Sequence, residues 1–282
     1  MMIHMTYRSG DYKVKGYLSL PDGYSVELVQ LQAQVRQYYD SVEMPMQVIA
    51  CNRERETRDI RGRKWPVLIY CRGGIGRVGQ VKTEWLERFS RCGFIVFAPV
   101  YRGTEGGEGR DEFGGGDMED VPAACRLLAS LDFIDPERMS AMGFSRGSVN
   151  AAYAAAETDY IKQLVLWGGV SDLTKTYEER VELRRMLKRV VGNPAKVPGA
   201  YEARSPVCMA ERIHCPVLII HGQEDAQVDV SHGLNMYERL KEIGADVDMH
   251  LYEGYGHHMP PEMHMKAIQR MFEWIRSHEL LG

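Results

Sequence analysis

Short runs of apolar residues recur along the chain and alternate with segments of helical spacing. The apolar runs have the length of strands that are buried on both faces of a sheet, and they are Pro66–Tyr70, Phe94–Ala98, Met139–Phe144, Ile161–Trp167, Pro216–His221 and Val247–Tyr252. The helical segments are Thr83–Arg91, Met118–Ser130, Arg146–Glu157, Tyr177–Val190, Ser231–Ile243 and Pro261–His278. This alternation predicts an α/β fold with a mostly parallel central sheet and helices on both faces.

Two N-terminal segments lie outside that alternation. Met5–Tyr7 and Val14–Leu20 predict an antiparallel hairpin at a sheet edge. Ser25–Tyr39 has helical spacing, and the charged stretch Asn52–Lys64 predicts an exposed loop. The chain has 282 residues, against a prior of about 150 per domain. Because one sheet accounts for most of it, we expect a single domain over 1–282 with an inserted helix and loop at about 22–62.

The composition disfavours several classes of protein. Lys and Arg total 35 and Asp and Glu total 39, for a net charge of −4, which gives no bias toward nucleic acid. No apolar run approaches the roughly 18 residues of a membrane span, and the N-terminus lacks the pattern of a secretory signal. The cysteines show no metal-ligand spacing. We therefore expect a cytoplasmic protein with no nucleic-acid or membrane partner, no metal and no organic cofactor.

The string Gly143-Phe144-Ser145-Arg146-Gly147 fits the pattern G-x-S-x-G. It closes a predicted strand and opens an alanine-rich helix, which is the context that a nucleophilic serine on a tight turn requires. The N-terminus of that helix also stabilises negative charge beside Ser145. Ser145 is therefore the candidate nucleophile, and the backbone N–H of Arg146 is a candidate donor to the oxyanion.

A serine nucleophile needs a histidine base and an acid that orients the histidine. Glu224 and Asp225 follow the strand Pro216–His221, and His257 and His258 follow the strand Val247–Tyr252. The order serine, acid, histidine is the one found in hydrolases of this kind. Because parallel strands end at one edge of a sheet, these groups are expected to meet there.

Several strings together resemble the catalytic domain of the prolyl oligopeptidase family within the α/β-hydrolases, and related stand-alone bacterial hydrolases. The strings are Val67-Leu68-Ile69-Tyr70-Cys71-Arg72-Gly73-Gly74, Tyr101-Arg102-Gly103, the motif at 143–147, Arg204-Ser205-Pro206, His221-Gly222-Gln223-Glu224-Asp225 and Gly256-His257. The resemblance covers about residues 62–280 and the hairpin at 3–20. It implies an α/β-hydrolase fold in which the N-terminal hairpin is antiparallel.

The resemblance also implies roles for individual residues. Ser145 matches the nucleophile, Asp225 the acid and His257 the base, which makes Glu224 and His258 the less favoured members of their pairs. Gly74 matches the second oxyanion donor, again through its backbone N–H. The substrate pocket is expected to border five residues: Arg72, Ile75, Tyr101, Phe144 and His258.

Two residues depart from the family pattern. Arg72 stands where the family usually has a histidine, and Ser148 stands where a third glycine is common. Arg72 would either contact an acidic part of the substrate or pair with the acid-rich loop at 103–120. We favour the structural role of Arg72.

The expected function is hydrolysis of a small ester or short peptide through an acyl-enzyme. The family's peptidases usually carry a β-propeller, for which this chain has no room, so an esterase is favoured over an aminopeptidase or a dipeptidyl-peptidase-like enzyme. The Ser25–Tyr39 helix is expected either to cover the pocket or to make an oligomer contact, and assembly into a homo-oligomer is left open. Three acids, Glu105, Glu108 and Asp111, are candidates for binding a substrate amine.

Two other classes of function compete with the hydrolase. Gly74-Ile75-Gly76-Arg77-Val78-Gly79 fits the dinucleotide pattern G-x-G-x-x-G, with Arg102 as a candidate contact for the 2′-phosphate of NADP. However, Cys71-Arg72-Gly73 separate these glycines from the strand, and the ribose-binding acid is missing. The remaining alternative is a catalytically inactive binding protein on a hydrolase fold, against which the intact serine, acid and histidine argue.

Overall fold

A computed structural model describes residues 1–40, 42–50 and 57–279, apart from the side chain of Arg77. In this part of the chain, nine strands form one sheet and two short strands pair separately. The strands are β1 Met2–Ser9, β2 Tyr12–Ser19, β3 Tyr24–Ser25, β4 Met46–Ala50, β5 Arg58–Asp59, β6 Trp65–Cys71, β7 Ile95–Pro99, β8 Ile134–Phe144, β9 Ile161–Trp167, β10 Val217–Gly222 and β11 Val247–Tyr252.

The large sheet has the order β11-β10-β9-β8-β6-β7-β2-β1-β4. The strands from β6 to β11 run parallel, and β2, β1 and β4 continue the sheet in antiparallel fashion. Parallel strands are normally covered on both faces, and every residue of β6 and β7 is buried. The α/β-hydrolase fold class and its N-terminal antiparallel hairpin are confirmed.

Helices cover both faces of this sheet. They are α1 Leu28–Tyr38, α2 Thr83–Ser90, α3 Asp120–Ala129, α4 Gly147–Glu157, α5 Leu173–Glu179, α6 Arg184–Val190, α7 Pro198–Glu202, α8 Pro206–Met209, α9 Val230–Glu242 and α10 Pro261–Glu279. Alternate residues of β6 serve two cores, since Val67 and Ile69 face α3 and α4, whereas Leu68 and Tyr70 face α2 and α10. None of the described helices is long and apolar enough to cross a membrane.

Two predicted elements differ from the structure. The single helix over Tyr177–Val190 was wrong, because α5 and α6 are separate helices and Arg180 between them has φ −103° and ψ 78°. The side chain of Asp172 caps α5, which therefore begins earlier than predicted. Strand β8 begins at Ile134 rather than at residue 139. Charged residues and a proline interrupt its apolar pattern there, and this hid the start of the strand.

The segment at 22–62 adds more to the fold than a helix and a loop. Helix α1 lies within the predicted range, whereas β4, which pairs with β1 at the edge of the sheet, was not predicted. Of the expected exposed loop Asn52–Lys64, residues 52–56 lie outside the described residues. In the remainder, Ile60 is fully buried and its carbonyl accepts a 2.8 Å hydrogen bond from Nε1 of Trp65, so the exposed-loop prediction was wrong for this residue.

Helix α1 lies far from the edge of the sheet where the motif of Ser145 ends β8. Its buried residues are Leu31 and Val35, and the side chain of Gln34 bonds to Asp132, just before the amino end of β8. Ile134 at that end pairs with Trp65, and Gly143 near the other end pairs with Cys71. At about 3.3 Å per residue of β6, the two ends of β8 lie roughly 20 Å apart. The expectation that this helix covers the pocket was therefore wrong.

Candidate active site

Ser145 directly follows β8 and has φ +56°, a left-handed conformation that is strained for a residue with a side chain. Its N–H donates to the carbonyl of Trp167 at 3.0 Å, and its carbonyl accepts from the N–H of Val170 at 3.2 Å. These bonds hold the strained turn against β9. A strained strand-to-helix turn of this kind exposes the hydroxyl of a nucleophilic serine, and we call residues 143–147 the nucleophile turn.

Close packing explains the last glycine of the nucleophile turn. A Cβ at Gly147 would collide with the carbonyl oxygen of Cys71 at the end of β6. Helix α4 therefore begins in direct contact with the neighbouring strand. Ser148, which departs from the family pattern, donates from its hydroxyl to the carbonyl of Gly143 at 3.0 Å and so braces the same turn.

Asp225 and His257 form a buried pair. Nδ1 of His257 lies 2.7 Å from Oδ2 of Asp225, and the other carboxylate oxygen accepts from the backbone N–H groups of Gln227 and Val228 at 2.8 and 2.9 Å. Burial raises the pKa of Asp225, but the hydrogen bond and charge of His257 and the two backbone donors outweigh burial and lower that pKa below its ordinary value. The carboxylate therefore stays ionised and can hold the imidazole.

The structure separates the two candidates for each role. Glu224 and His258 are exposed, whereas Asp225 and His257 are only 5% and 8% exposed. The ring of Phe144 lies 4.8 Å from that of His257, so the histidine loop folds over the residue that precedes Ser145. The Ser145 hydroxyl donates no hydrogen bond to another described residue. Such bonds are often long in unliganded enzymes and tighten when substrate binds.

Backbone N–H groups beside the nucleophile turn are available to a ligand. Within the described residues, the N–H groups of Arg146 and Gly74 donate to no other atom of the chain. The loop after β6 also passes close to the serine, since a Cβ at Gly73 would lie 2.9 Å from Cβ of Ser145. These two N–H groups are the ones that the sequence predicted as oxyanion donors.

Arg72 lies inside the protein and is 1% exposed. Its guanidinium donates to the carbonyls of Val100, Gly73 and Gly74 at 2.8, 3.1 and 3.3 Å, and it pairs with Asp111 at 3.4 Å. These contacts are those of the structural role that the sequence analysis favoured. Because the guanidinium is buried among these partners, Arg72 is not available to a substrate beside Ser145. Its expected position at the substrate pocket was therefore wrong.

A buried ionic cluster that the sequence analysis missed surrounds the side chain of Arg146. Its guanidinium pairs with Asp111 at 2.8 Å and with Asp117, and it donates to the carbonyl of Gly74 at 3.0 Å. Asn150 also donates to Asp117, at 3.1 Å. The cluster therefore joins the nucleophile turn, the loop after β6 and the glycine-rich loop at 101–117. The sequence signal that could have indicated this cluster is the presence of Arg146, Asp111 and Asp117 in glycine-rich segments.

The glycine-rich loop offers little to a substrate amine. Glu105 accepts from the hydroxyl of Tyr17 at 2.6 Å, Glu108 accepts from the N–H of Lys13 at 2.7 Å, and Asp111 pairs with Arg146. All three candidate acids thus have partners within the protein. Tyr101 is fully buried and donates to the carbonyl of Arg72 at 3.2 Å, so its expected place beside the pocket was wrong.

A cavity of about 140 Å³ lies beside His257. Phe144 and His258, two of the five pocket candidates, border it, and Trp85 and Trp167 supply aromatic walls. Ile75, the remaining pocket candidate, is half-buried in the loop after β6 and does not border this cavity.

Two further residues support the acid and the base without having been predicted. His221 is fully buried, bonds through Nε2 to the carbonyl of Val228 at 2.9 Å, and lies 3.6 Å from Oδ2 of Asp225. Burial lowers the pKa of His221, so it is neutral and donates. Gly168 has φ +51°, and a Cβ there would lie 3.3 Å from Nδ1 of His257. His221 lies near the end of β10, and Gly168 directly follows β9. The sequence does not show that they contact Asp225 and His257, because only the fold brings these segments together.

The described residues include no cluster of three or more His, Cys, Asp or Glu side chains arranged to hold a metal. The segment that fits the dinucleotide pattern forms a 3₁₀ turn over Gly76–Gly79, and α2 begins only at Thr83. The glycines therefore do not open a helix, as a dinucleotide-binding turn requires.

Comparison with known families agrees with this arrangement. The model of the prolyl oligopeptidase family matches residues 82–279, well over half of the chain. The chain belongs to the prolyl oligopeptidase family. The uncharacterized peptidase YtmA of Bacillus subtilis is 40% identical over 211 residues, which cover 74% of this chain and 82% of that protein.

Other similar proteins are more distant and longer. Dipeptidyl-peptidase 5 of Porphyromonas endodontalis is 25% identical over 230 residues, covering 76% of this chain but only 33% of that protein. The acylaminoacyl peptidase of Pyrococcus horikoshii has a similar structure, with a TM-score of 0.73 and 20% identity over 97% of this chain and 41% of that one. At this identity the structural similarity shows the fold alone.

Proposed function

We propose that the protein is a serine peptidase that hydrolyses short peptides through Ser145, His257 and Asp225. The observation that carries the proposal is the strained turn of Ser145 at the end of β8, next to the His257–Asp225 pair joined at 2.7 Å. Membership of a peptidase family favours an amide substrate over the ester that the sequence analysis preferred. The names of dipeptidyl-peptidase 5 and acylaminoacyl peptidase support a peptide substrate in the same way.

Each of these groups has a step in the proposed acyl transfer. Because Nδ1 of His257 is held by Asp225, Nε2 is left to take the proton from the Ser145 hydroxyl as Oγ attacks the carbonyl carbon. The N–H groups of Arg146 and Gly74 stabilise the resulting oxyanion. The intermediate collapses, the C–N bond breaks, and the imidazolium gives its proton to the leaving amine. Water then attacks the acyl-enzyme with the same groups and releases the acid.

The test is turnover of a panel of aminoacyl and dipeptidyl arylamides, with short-chain p-nitrophenyl esters alongside. The wild type is expected to hydrolyse arylamides, and His257→Gln is expected to lower kcat by about 10⁴-fold or more because the base is lost. His214→Gln changes an exposed histidine and serves as the matched control. Hydrolysis of esters without any arylamide would contradict the peptidase, and full activity in His257→Gln would contradict the assigned base.

A further inference from the structure

The cavity beside His257 has a strongly basic lining. Its walls include Lys82 and Arg88 from the region of α2 and His264 from α10, together with the aromatic rings of Trp85 and Phe144. Lys82 Nζ lies 5.3 Å from the centre of the Trp85 ring. No carboxylate of the described residues forms an ion pair with Lys82 or Arg88, whereas Arg91, further along the same helix region, pairs with Asp22 at 3.5 Å. The cavity therefore carries positive charge that the described chain does not neutralise.

His264 adds an unpartnered donor to this lining. It is 5% exposed, and its Nδ1 lies 3.1 Å from Nη1 of Arg88. Because a guanidinium can only donate, Nδ1 accepts, and the neutral ring carries its hydrogen on Nε2. Among the described residues, nothing accepts a hydrogen bond from that Nε2. A buried donor without an acceptor is costly, and a bound anion would satisfy it.

Burial and the basic side chains around His264 all lower the pKa of its ring. Burial, followed by Arg88, Lys82 and His258, lowers the pKa of His264 to about 4. The ring is neutral near neutral pH mainly because burial disfavours its charged form, and the positive charges of Arg88 and Lys82 add to that effect. The positive charges of Arg88 and Lys82 favour a negatively charged ligand beside the ring.

The position of the cavity indicates which part of the substrate reaches it. His257 borders the cavity and packs against Phe144, the residue before the proposed nucleophile. The base of a serine hydrolase returns its proton to the leaving group. The leaving group therefore lies on the His257 side. A volume of about 140 Å³ compares with roughly 30 Å³ for one water in the liquid, so the cavity has room for a carboxylate on a short stem.

We propose that this cavity binds a carboxylate carried by the leaving group. The substrate class is then an acyl or aminoacyl amino acid, in which the free carboxylate belongs to the single residue that follows the scissile bond. Lys82 and Arg88 supply the charge, and Nε2 of His264 supplies a buried N–H donor. This inference rests on the proposed serine hydrolase function and narrows its substrate.

The test uses two acetate esters with the same acyl group and leaving groups of different charge. Acetyl esters of 3-hydroxybenzoate and 3-hydroxybenzamide are turned over by the wild type, Lys82→Gln, Arg88→Gln and Arg91→Gln. We expect the wild type and Arg91→Gln to favour the carboxylate ester by about tenfold or more in kcat/KM, mainly through KM, since charge-assisted hydrogen bonds are the strong ones. Lys82→Gln and Arg88→Gln are expected to reduce that preference severalfold, while Arg91→Gln keeps it. Circular dichroism and thermal midpoints close to those of the wild type show that the variants are folded.

Two results would overturn the carboxylate site, and they have different consequences. If a fluorophosphonate labels Ser145 but the enzyme shows no preference between the esters, the site is wrong and the hydrolase function stands. If the preference survives in Lys82→Gln and Arg88→Gln, the same conclusion follows. If the wild type is neither labelled nor active on either ester, the proposed function fails and the carboxylate site fails with it.

Discussion

At the scale of single residues, the chemistry depends on how the backbone holds three side chains. The left-handed φ of Ser145 is maintained by hydrogen bonds to β9. Asp225 is oriented by two backbone N–H groups, and it in turn orients His257. The base is thus fixed through a chain of contacts that begins in the loop after β10.

Asp225→Asn is expected to lower kcat by roughly 10⁴-fold with little change in KM. The amide can present its NH₂ to Nδ1 of His257 and so select the wrong tautomer, although the shape of the site is kept. Steady-state kinetics with a turned-over arylamide or ester measure the effect. Glu224→Gln, at the exposed neighbouring position, is the control. Equal losses in both variants would contradict the assignment of the acid.

The three proposed catalytic residues could be predicted from the sequence, whereas the residues that contact the acid and the base could not. The motif around Ser145 and the order of acids and histidines after strands were local patterns, visible without a structure. The choice of His257 over His258 came from a resemblance, and the geometry agrees because only His257 reaches Asp225. His221 and Gly168 could not be predicted, because their contacts with the acid and the base join segments far apart in the sequence.

At the scale of elements, the glycine-rich loop at 101–117 is fastened to the nucleophile turn by buried charge. Asp117 accepts hydrogen bonds from the N–H groups of Glu112 and Gly115 and pairs with Arg146. Burial raises the pKa of Asp117, but Arg146, Asn150 and the backbone donors outweigh it and lower the pKa. The loop therefore takes its shape from a carboxylate that stays ionised.

Asp117→Ala is expected to destabilise the protein by about 3–5 kcal/mol, since it leaves Arg146 buried without one of its partners. Urea unfolding measures the loss of stability, and limited proteolysis is expected to cut the loop at 101–117 sooner than in the wild type. Glu238→Gln, at an exposed position of α9, is the control and should leave both unchanged. An Asp117→Ala variant as stable and as resistant as the wild type would contradict this account of the loop.

Among the elements, strands with uninterrupted apolar runs were predicted well and interrupted ones were not. Strand β9 has the predicted ends, whereas the first residues of β8 were missed because Pro136 and its charged neighbours disguise them. The helix over 177–190 failed for a different reason. A cap at Asp172 and the conformation of Arg180 divide the segment, and neither alters the spacing of its apolar residues.

At the scale of the whole molecule, the insertion at 22–62 belongs to the far end of the sheet. Strand β4 extends the edge beyond β1, five strands away from β8 in the order of the sheet. Helix α1 contacts the residues that precede β8 rather than the residues that follow it. The insertion therefore contributes to stability at a distance from the nucleophile turn.

Leu31→Ala is expected to cost about 2–5 kcal/mol of stability, because Leu31 is fully buried and its truncation leaves a cavity. The thermal midpoint should fall, while kcat/KM measured well below that midpoint should stay the same. Val29→Ala, at a position that is 75% exposed, is the control for changing the same helix. A change in kcat/KM in Leu31→Ala under folded conditions would contradict the separation of the insertion from the site.

Mapping of the covalent adduct formed with a fluorophosphonate tests whether Ser145 is the nucleophile. We expect one adduct per chain by intact mass, located on Ser145 after proteolysis and absent from Ser145→Ala. Labelling of His257→Gln is expected to be much slower, because the hydroxyl then lacks its base. A wild-type protein that forms no adduct, or an adduct that persists in Ser145→Ala, would contradict the assignment of Ser145 as the nucleophile.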